Sequence, residues 1–154
     1  MKKQSAGLLA FRNQKKAEVL LVHPGGPFYK AKDLGVWSIP KGEYTDENPL
    51  QVAIREFTEE TGNIIDSDEY IGLGDTQLTS GKIIKAWAVP SNFETSYISS
   101  NLFELEWPPK SGKIVSFPET DKAEWFSFRE ARKKIHPSQV IFLDRLESIL
   151  KNKS

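Results

Sequence analysis

The chain has 154 residues, 38% of them apolar and 11% aromatic, with 21 basic and 21 acidic side chains and a formal net charge of zero. This length suits one domain with a real core, and the balanced charge argues against a dedicated nucleic-acid or membrane-surface protein, which would carry a basic excess. With no cysteine and only two histidines, His23 and His136, disulfides, thiolate zinc sites and thiol catalysis are excluded and a histidine-rich metal site is disfavoured.

The start, MKKQSAGLLAF, has too short an apolar run for a signal peptide and reads as a first strand over residues 5–11. No run approaches transmembrane length, so a soluble cytoplasmic protein is expected. A second apolar run, residues 18–23, lies beyond the polar RNQKKA and forms a hairpin or a neighbouring strand. PGGPFYKAKDLG must be loop. It is either a mobile flap that brings Lys30 and Lys32 near phosphates or a plain connection. Residues 36–39 are a short strand candidate stopped by Pro40. A helix is expected over Pro49–Thr61, capped by Asn48 or Asp46, with Pro49 at its first position and Gly62 and Asn63 suited to a left-handed cap. Strand candidates at 69–78 and 82–89 flank the turn TSG. The polar, serine-rich stretch 90–101 is loop, 102–107 is a strand stopped by Pro108 and Pro109, PPKSGK is loop, and 123–128 is a strand. A short helix opens at Ser127 or Arg129 and runs through Ile135. Pro137 starts a final helix in which Val140, Leu143, Leu146, Ile149 and Leu150 recur at helical spacing. This order predicts an α/β fold, a mixed sheet with helices on both faces, in one domain over 1–154.

The stretch 40–62, PKGEYTDENPLQVAIREFTEETG, concentrates ionisable groups as no other does. On its helix, Leu50, Ala53, Ile54 and Phe57 form the buried stripe, and Glu56, Glu59 and Glu60 share a second stripe beside it. Three like charges near the negative end of a helix repel one another. The face is either a solvated acidic surface or a seat for a divalent cation, which takes hard oxygen ligands. The Gly turn, the Arg-Glu pair and the Glu-Glu pair together favour the cation. Arg55, four residues before Glu59, can fix a carboxylate by a forked salt bridge.

These residues resemble the Nudix box, with Gly42, Glu47, Arg55, Glu56, Phe57, Glu59, Glu60 and Gly62 at matching positions. The loop from Gly42 to Glu47 is one residue shorter than usual, so Glu47 matches by register from Arg55, and Asn63 stands where an apolar residue is usual. The resemblance implies a Nudix hydrolase with the Nudix fold, a mixed sheet between helices (α/β/α). It further implies that Mg²⁺ or Mn²⁺ is held by Glu56, Glu59 and Glu60, with a backbone carbonyl from Lys41. Arg55 would orient a glutamate, water would attack a diphosphate linkage, and Glu56 or Glu60 would be the general base.

FPETDKAEWF resembles a stretch of the dinucleoside polyphosphate (diadenosine tetraphosphate) hydrolase branch, where a metal-binding glutamate precedes a tryptophan by six residues, as Glu119 precedes Trp125. The alternative is a loop glutamate beside a core tryptophan. Lys82 matches a phosphate-contacting lysine of that branch, or is a solvated strand-end lysine. Trp37, Trp87 and Trp125 read as core, whereas Trp107, beside the Pro-Pro loop and Lys110, is a candidate wall of the substrate pocket. His23 and His136 read as structural. The expected substrate is a small nucleotide-type molecule, most simply a dinucleoside polyphosphate, with no stable nucleic-acid complex. The alternatives are a sanitising nucleoside triphosphate pyrophosphohydrolase and a catalytically silent nucleotide-binding regulator.

Overall fold

The structure, a computed structural model, describes residues 3–13, 15–92, 95 and 100–152. Its spine is β1 (Gln4–Asn13), in which Ser5 to Phe11 are buried because both faces of the strand are covered. One edge of β1 pairs in parallel with β5 (Ile83–Pro90), from Gln4↔Ile83 to Phe11↔Pro90. Its other edge is divided. The first part, residues 4–7, pairs antiparallel with β3 (Lys41–Tyr44), and residues 11–13 pair antiparallel with β2 (Ala17–Pro24). Outside these, β4 (Ile71–Gln77) pairs with β5, and β8 (Thr120–Ser127) pairs with β2, giving the order β4-β5-β1-β2-β8. One parallel ladder among antiparallel ones makes the sheet mixed. A separate two-stranded sheet joins β6 (Leu102–Glu106) to β7 (Ile114–Pro118).

The helices cover both faces of the large sheet. Asn48 starts α1 (Pro49–Thr61) by accepting from the Gln51 amide, and Gly62 ends it at φ 76°, its amide returned to the Thr58 carbonyl. Val52, Ala53 and Phe57 of α1 meet Ala6, Leu8, Ala10, Leu20 and Val22 on one face. On the other face, Leu9, Leu21 and Ile84 pack against α2 (Phe128–Lys134) and α3 (Val140–Asn152) through Ala131, Phe142, Leu143 and Leu146. Each fully buried Leu or Phe contributes about 1.5–3 kcal/mol, so the two layers hold β1 and α1 at fixed separation. Among the described residues no helix is long and apolar enough to cross a membrane.

The layered architecture agrees with the sequence reading, and several details differ. Residues 36–39 form no strand. They make only isolated bridges, Val22↔Ser38 and Trp37↔Ile135. The strand forms instead at Lys41–Tyr44, in a stretch read as turn and loop, because the first part of β1 offers it an open edge. Residues 114–118, given no element from sequence, form β7, and β8 begins at Thr120 rather than at Ala123. The final helix is preceded by a 3₁₀ turn at Pro137–Gln139, opened by the His136 side chain accepting from the Ser138 amide. In the predicted loop 90–101, residues 93, 94 and 96–99 lie outside the described residues.

Candidate active site

Strand β3 and the second half of α1 lie against each other, and Gly42 is what lets them. A Cβ on Gly42 would stand 2.3 Å from Glu56 Cδ. Beside it, the Lys41 amide donates to Glu60 Oε2 at 2.9 Å, and the Thr120 hydroxyl reaches Glu60 Oε1 at 3.5 Å. In front lies a cavity of about 400 Å³ lined by Ser5, Lys41, Gly42, Glu43, Glu56, Glu59, Lys82, Asn101 and Glu119. The structure thus brings Glu119, from the turn between β7 and β8, to the same wall as two helix glutamates. Lys41 and Lys82 border the same space, with Lys82 Nζ 3.9 Å from Glu43. Glu60 is set deeper than the lining side chains, bonded to the Lys41 amide and close enough to Glu56 on the wall to feel that carboxylate's charge.

Arg55 lies on the outer side, about half exposed, with Glu47, Glu56 and Glu59 at 3.4, 3.7 and 3.9 Å. Such long, partly solvated contacts add little stability, but together they limit where Glu56 and Glu59 can point. Trp107 is not part of the cavity wall. Its ring meets Phe28 edge-on at 5.4 Å, and Gly26, at φ 95°, lies over the Phe103 ring, so loop 24–35 rests on the β6–β7 sheet. Lys30 and Lys32 do not line the cavity either, and Lys32 lies over the Tyr29 ring. His23 and Trp37 are buried, and Trp87 and Trp125 pack against the α1 side of the core.

The electrostatics of the acidic wall are those of charges held too close. Burial, then the Glu56 charge, pushes the Glu60 carboxyl up to about 8, against the opposing Lys41 amide and ammonium. Glu56 is also raised, by burial and by Glu59 and Glu119, with Arg55 opposing. The Lys41 ammonium is lowered by burial, and Lys82 adds to that effect. A divalent cation would relieve the carboxylate repulsion, and the available donors are all hard oxygens, so the set fits Mg²⁺ or Mn²⁺. Among the described residues no group of three or more Asp, Glu or His side chains is placed so that it could hold a metal ion by itself.

Sequence reasoning missed Thr120 and Asn101. The Asn101 amide reaches Glu59 Oε2 at 3.5 Å, and its carbonyl accepts from the Glu119 amide at 2.8 Å. The only sequence signal for Thr120 was its place next to Glu119, and for Asn101 there was none, because both contacts join segments far apart in the chain. A second cavity, about 180 Å³, shares Ser5, Lys41 and Lys82 with the first and continues it toward Val36, Ser38, Leu78, Ile84, His136 and Gln139.

A family model described as NUDIX domain matches residues 1–146. No curated protein matches the sequence. Among solved structures, the Caenorhabditis elegans Ap4A hydrolase binary complex is similar at 22% identity and a TM-score of 0.65, over 96% of this chain and 98% of that one. The NUDIX domain of Shewanella oneidensis NrtR, complexed with ADP ribose, is similar at 15% identity and a TM-score of 0.66, over 97% of this chain and 89% of that one. The MutT protein of Methanosarcina mazei is similar at 17% identity and a TM-score of 0.62, over 99% and 96%. At these identities the likeness to solved structures is one of fold.

Proposed function

The chain belongs to the NUDIX family and is a hydrolase of phosphorus-containing acid anhydrides, and from that premise we propose a metal-dependent pyrophosphohydrolase that cleaves a diphosphate linkage in a nucleoside diphosphate derivative. The preferred substrate is a dinucleoside polyphosphate, and the whole chain acts as one cytoplasmic catalytic domain. The observation that carries this reading is the 400 Å³ cavity with Glu56, Glu59 and Glu119 on its wall and Lys41 and Lys82 at its border. A polyphosphate cannot approach three carboxylates unless cations stand between, and the two lysines alone do not balance both partners.

Mg²⁺ or Mn²⁺, held by Glu56, Glu59, Glu60, Glu119 and the Lys41 carbonyl, would neutralise phosphoryl oxygens and acidify water. The chain's own groups do the remainder. Lys82 takes a phosphate oxygen of the substrate, and the Lys41 ammonium adds charge where its desolvation makes that charge count most. Glu56, on the cavity wall with a raised affinity for protons, accepts the proton of the attacking water, and Glu60 is the alternative acceptor. Glu60 also holds the Lys41 peptide in place. Arg55 orients Glu56 and Glu59 and does not touch substrate. The edge-on pair Phe28 and Trp107 offers an exposed aromatic surface for a base of the substrate.

The 180 Å³ extension favours a second reading, a nucleoside triphosphate pyrophosphohydrolase, because it has room for one compact group beside the phosphates. The intact glutamates and Arg55 speak against a silent regulator. Purified protein with Mg²⁺ and a panel of dinucleoside polyphosphates, nucleoside diphosphate sugars and nucleoside triphosphates separates these, with products identified by chromatography. Fastest turnover of a dinucleoside polyphosphate is expected. Fastest turnover of a triphosphate supports the second reading, and no product from any of the three classes rejects both.

A further inference from the structure

His23, 1% exposed, sits on β2 between loop 24–35 and β8, and none of the chemistry above uses it. Its Nδ1 lies 2.7 Å from Asp121 Oδ1 and its Nε2 lies 2.7 Å from the Lys32 carbonyl oxygen. The buried ring is thus spent on two segments at once, the loop on one side and the start of β8 on the other.

The position of this ring gives it a consequence. Asp121 follows Thr120, whose hydroxyl reaches Glu60, and lies two residues past Glu119 on the cavity wall. The Glu119 carbonyl accepts from the Gly25 amide at 2.9 Å, so loop 24–35 and the corner 119–121 are already joined at one point. Gly25 has no room to give, since a Cβ there would stand 1.9 Å from the Pro118 carbonyl oxygen. The other end of the loop is tied down by Asp33, which accepts from Trp37 Nε1 and pairs with Lys134. His23 stands between the two fastenings and bonds to both segments.

We propose that His23 is a positioning residue whose two ring-nitrogen contacts, to Asp121 and to the Lys32 carbonyl, clamp loop 24–35 to the corner 119–121 and so set Glu119 and Thr120 beside Glu60. Its effect on catalysis rests on the reading of Glu119 as a metal ligand. The clamp itself does not.

Amide hydrogen exchange in folded, metal-free protein tests the first part, the clamp itself. Faster exchange of the Gly25 amide, which donates to the Glu119 carbonyl, is expected in His23→Gln than in the parent, and an unchanged rate overturns the proposal. For the second part, His23→Gln and Asp121→Asn are each expected to raise the Mg²⁺ concentration at half-maximal rate by ~10-fold, with kcat at saturating Mg²⁺ within about threefold of the parent. Lower thermal stability with an unmoved Mg²⁺ requirement marks a merely structural histidine and overturns it. Placed on Glu119→Gln, Asp121→Asn is expected to add nothing further to the Mg²⁺ requirement, and a fully additive change contradicts action through Glu119. A wild-type Mg²⁺ requirement in Glu119→Gln alone contradicts the metal reading of Glu119, and the exchange result, obtained without metal, keeps that failure distinct.

Discussion

Replacing Glu60 by glutamine separates the charge of this side chain from its shape. Without metal, burial and the Glu56 charge raise its carboxyl from 4.5 to about 8. The folded chain then binds more protons than the unfolded chain between those two values. Metal-free stability therefore falls as pH rises through that window, and levels off above it. At 1.36 kcal/mol for each tenfold in proton affinity, the full displacement is worth on the order of 5 kcal/mol, and water reaching the adjoining cavity lowers it to ~2 kcal/mol. For a chain of this length that is a change in Tm of ~4–8 °C. Glutamine keeps an oxygen for the Lys41 amide and presents its NH₂ to the Thr120 hydroxyl, so the fold has no reason to change. Glu60→Gln is expected to raise the metal-free Tm by that amount at pH 8, leave it unmoved at pH 5, and lower Mg²⁺-dependent turnover by ~100-fold or more. Thermal denaturation with a chelator across this pH range, and initial rates with Mg²⁺, measure both. A variant whose Tm follows pH as the parent's does, or one that turns over at the parent rate, refutes the reasoning.

Gly42→Ala places a Cβ 2.3 Å from Glu56 Cδ. It should move Glu56 off the cavity wall and raise the Mg²⁺ requirement ~10-fold, read by titrating activity with Mg²⁺; an unchanged requirement would mean that Glu56 is no ligand. Lys82→Ala should raise KM by roughly 10-fold with kcat within about threefold, and a KM that stays put would remove Lys82 from substrate binding. Trp107→Ala, which takes away the partner of Phe28, should raise KM for a dinucleoside polyphosphate by roughly 5- to 10-fold while leaving inhibition by inorganic diphosphate unchanged. Equal losses for both ligands would show that it disturbs the phosphate cavity instead.

The parts of the molecule legible in the sequence are those with a local cause. Helix α1 could be read because its stripe, its Asn48 cap, Pro49 and Gly62 lie within one short stretch, and the two long apolar runs became β1 and β2 for the same reason. Strand β3 could not be read, because KGEY has no strand pattern of its own and is extended only through the free edge of β1. Residues 36–39 had the apolar pattern but no neighbour along their length, so they form bridges in place of a ladder. In the site, the helix glutamates announced themselves by spacing, and Glu119 only through a resemblance. Thr120, Asn101 and the His23–Asp121 contact join segments tens of residues apart, and nothing in the local sequence records which carboxylate a given side chain will meet.

Phosphorus NMR of a dinucleoside polyphosphate incubated with the purified protein tests metal-dependent cleavage of a diphosphate linkage most directly. With Mg²⁺ present, the bridging phosphate signals should give way to those of two nucleotide products, and excess chelator should stop the conversion. Spectra that stay unchanged with Mg²⁺, or conversion that proceeds equally in chelator, would contradict it.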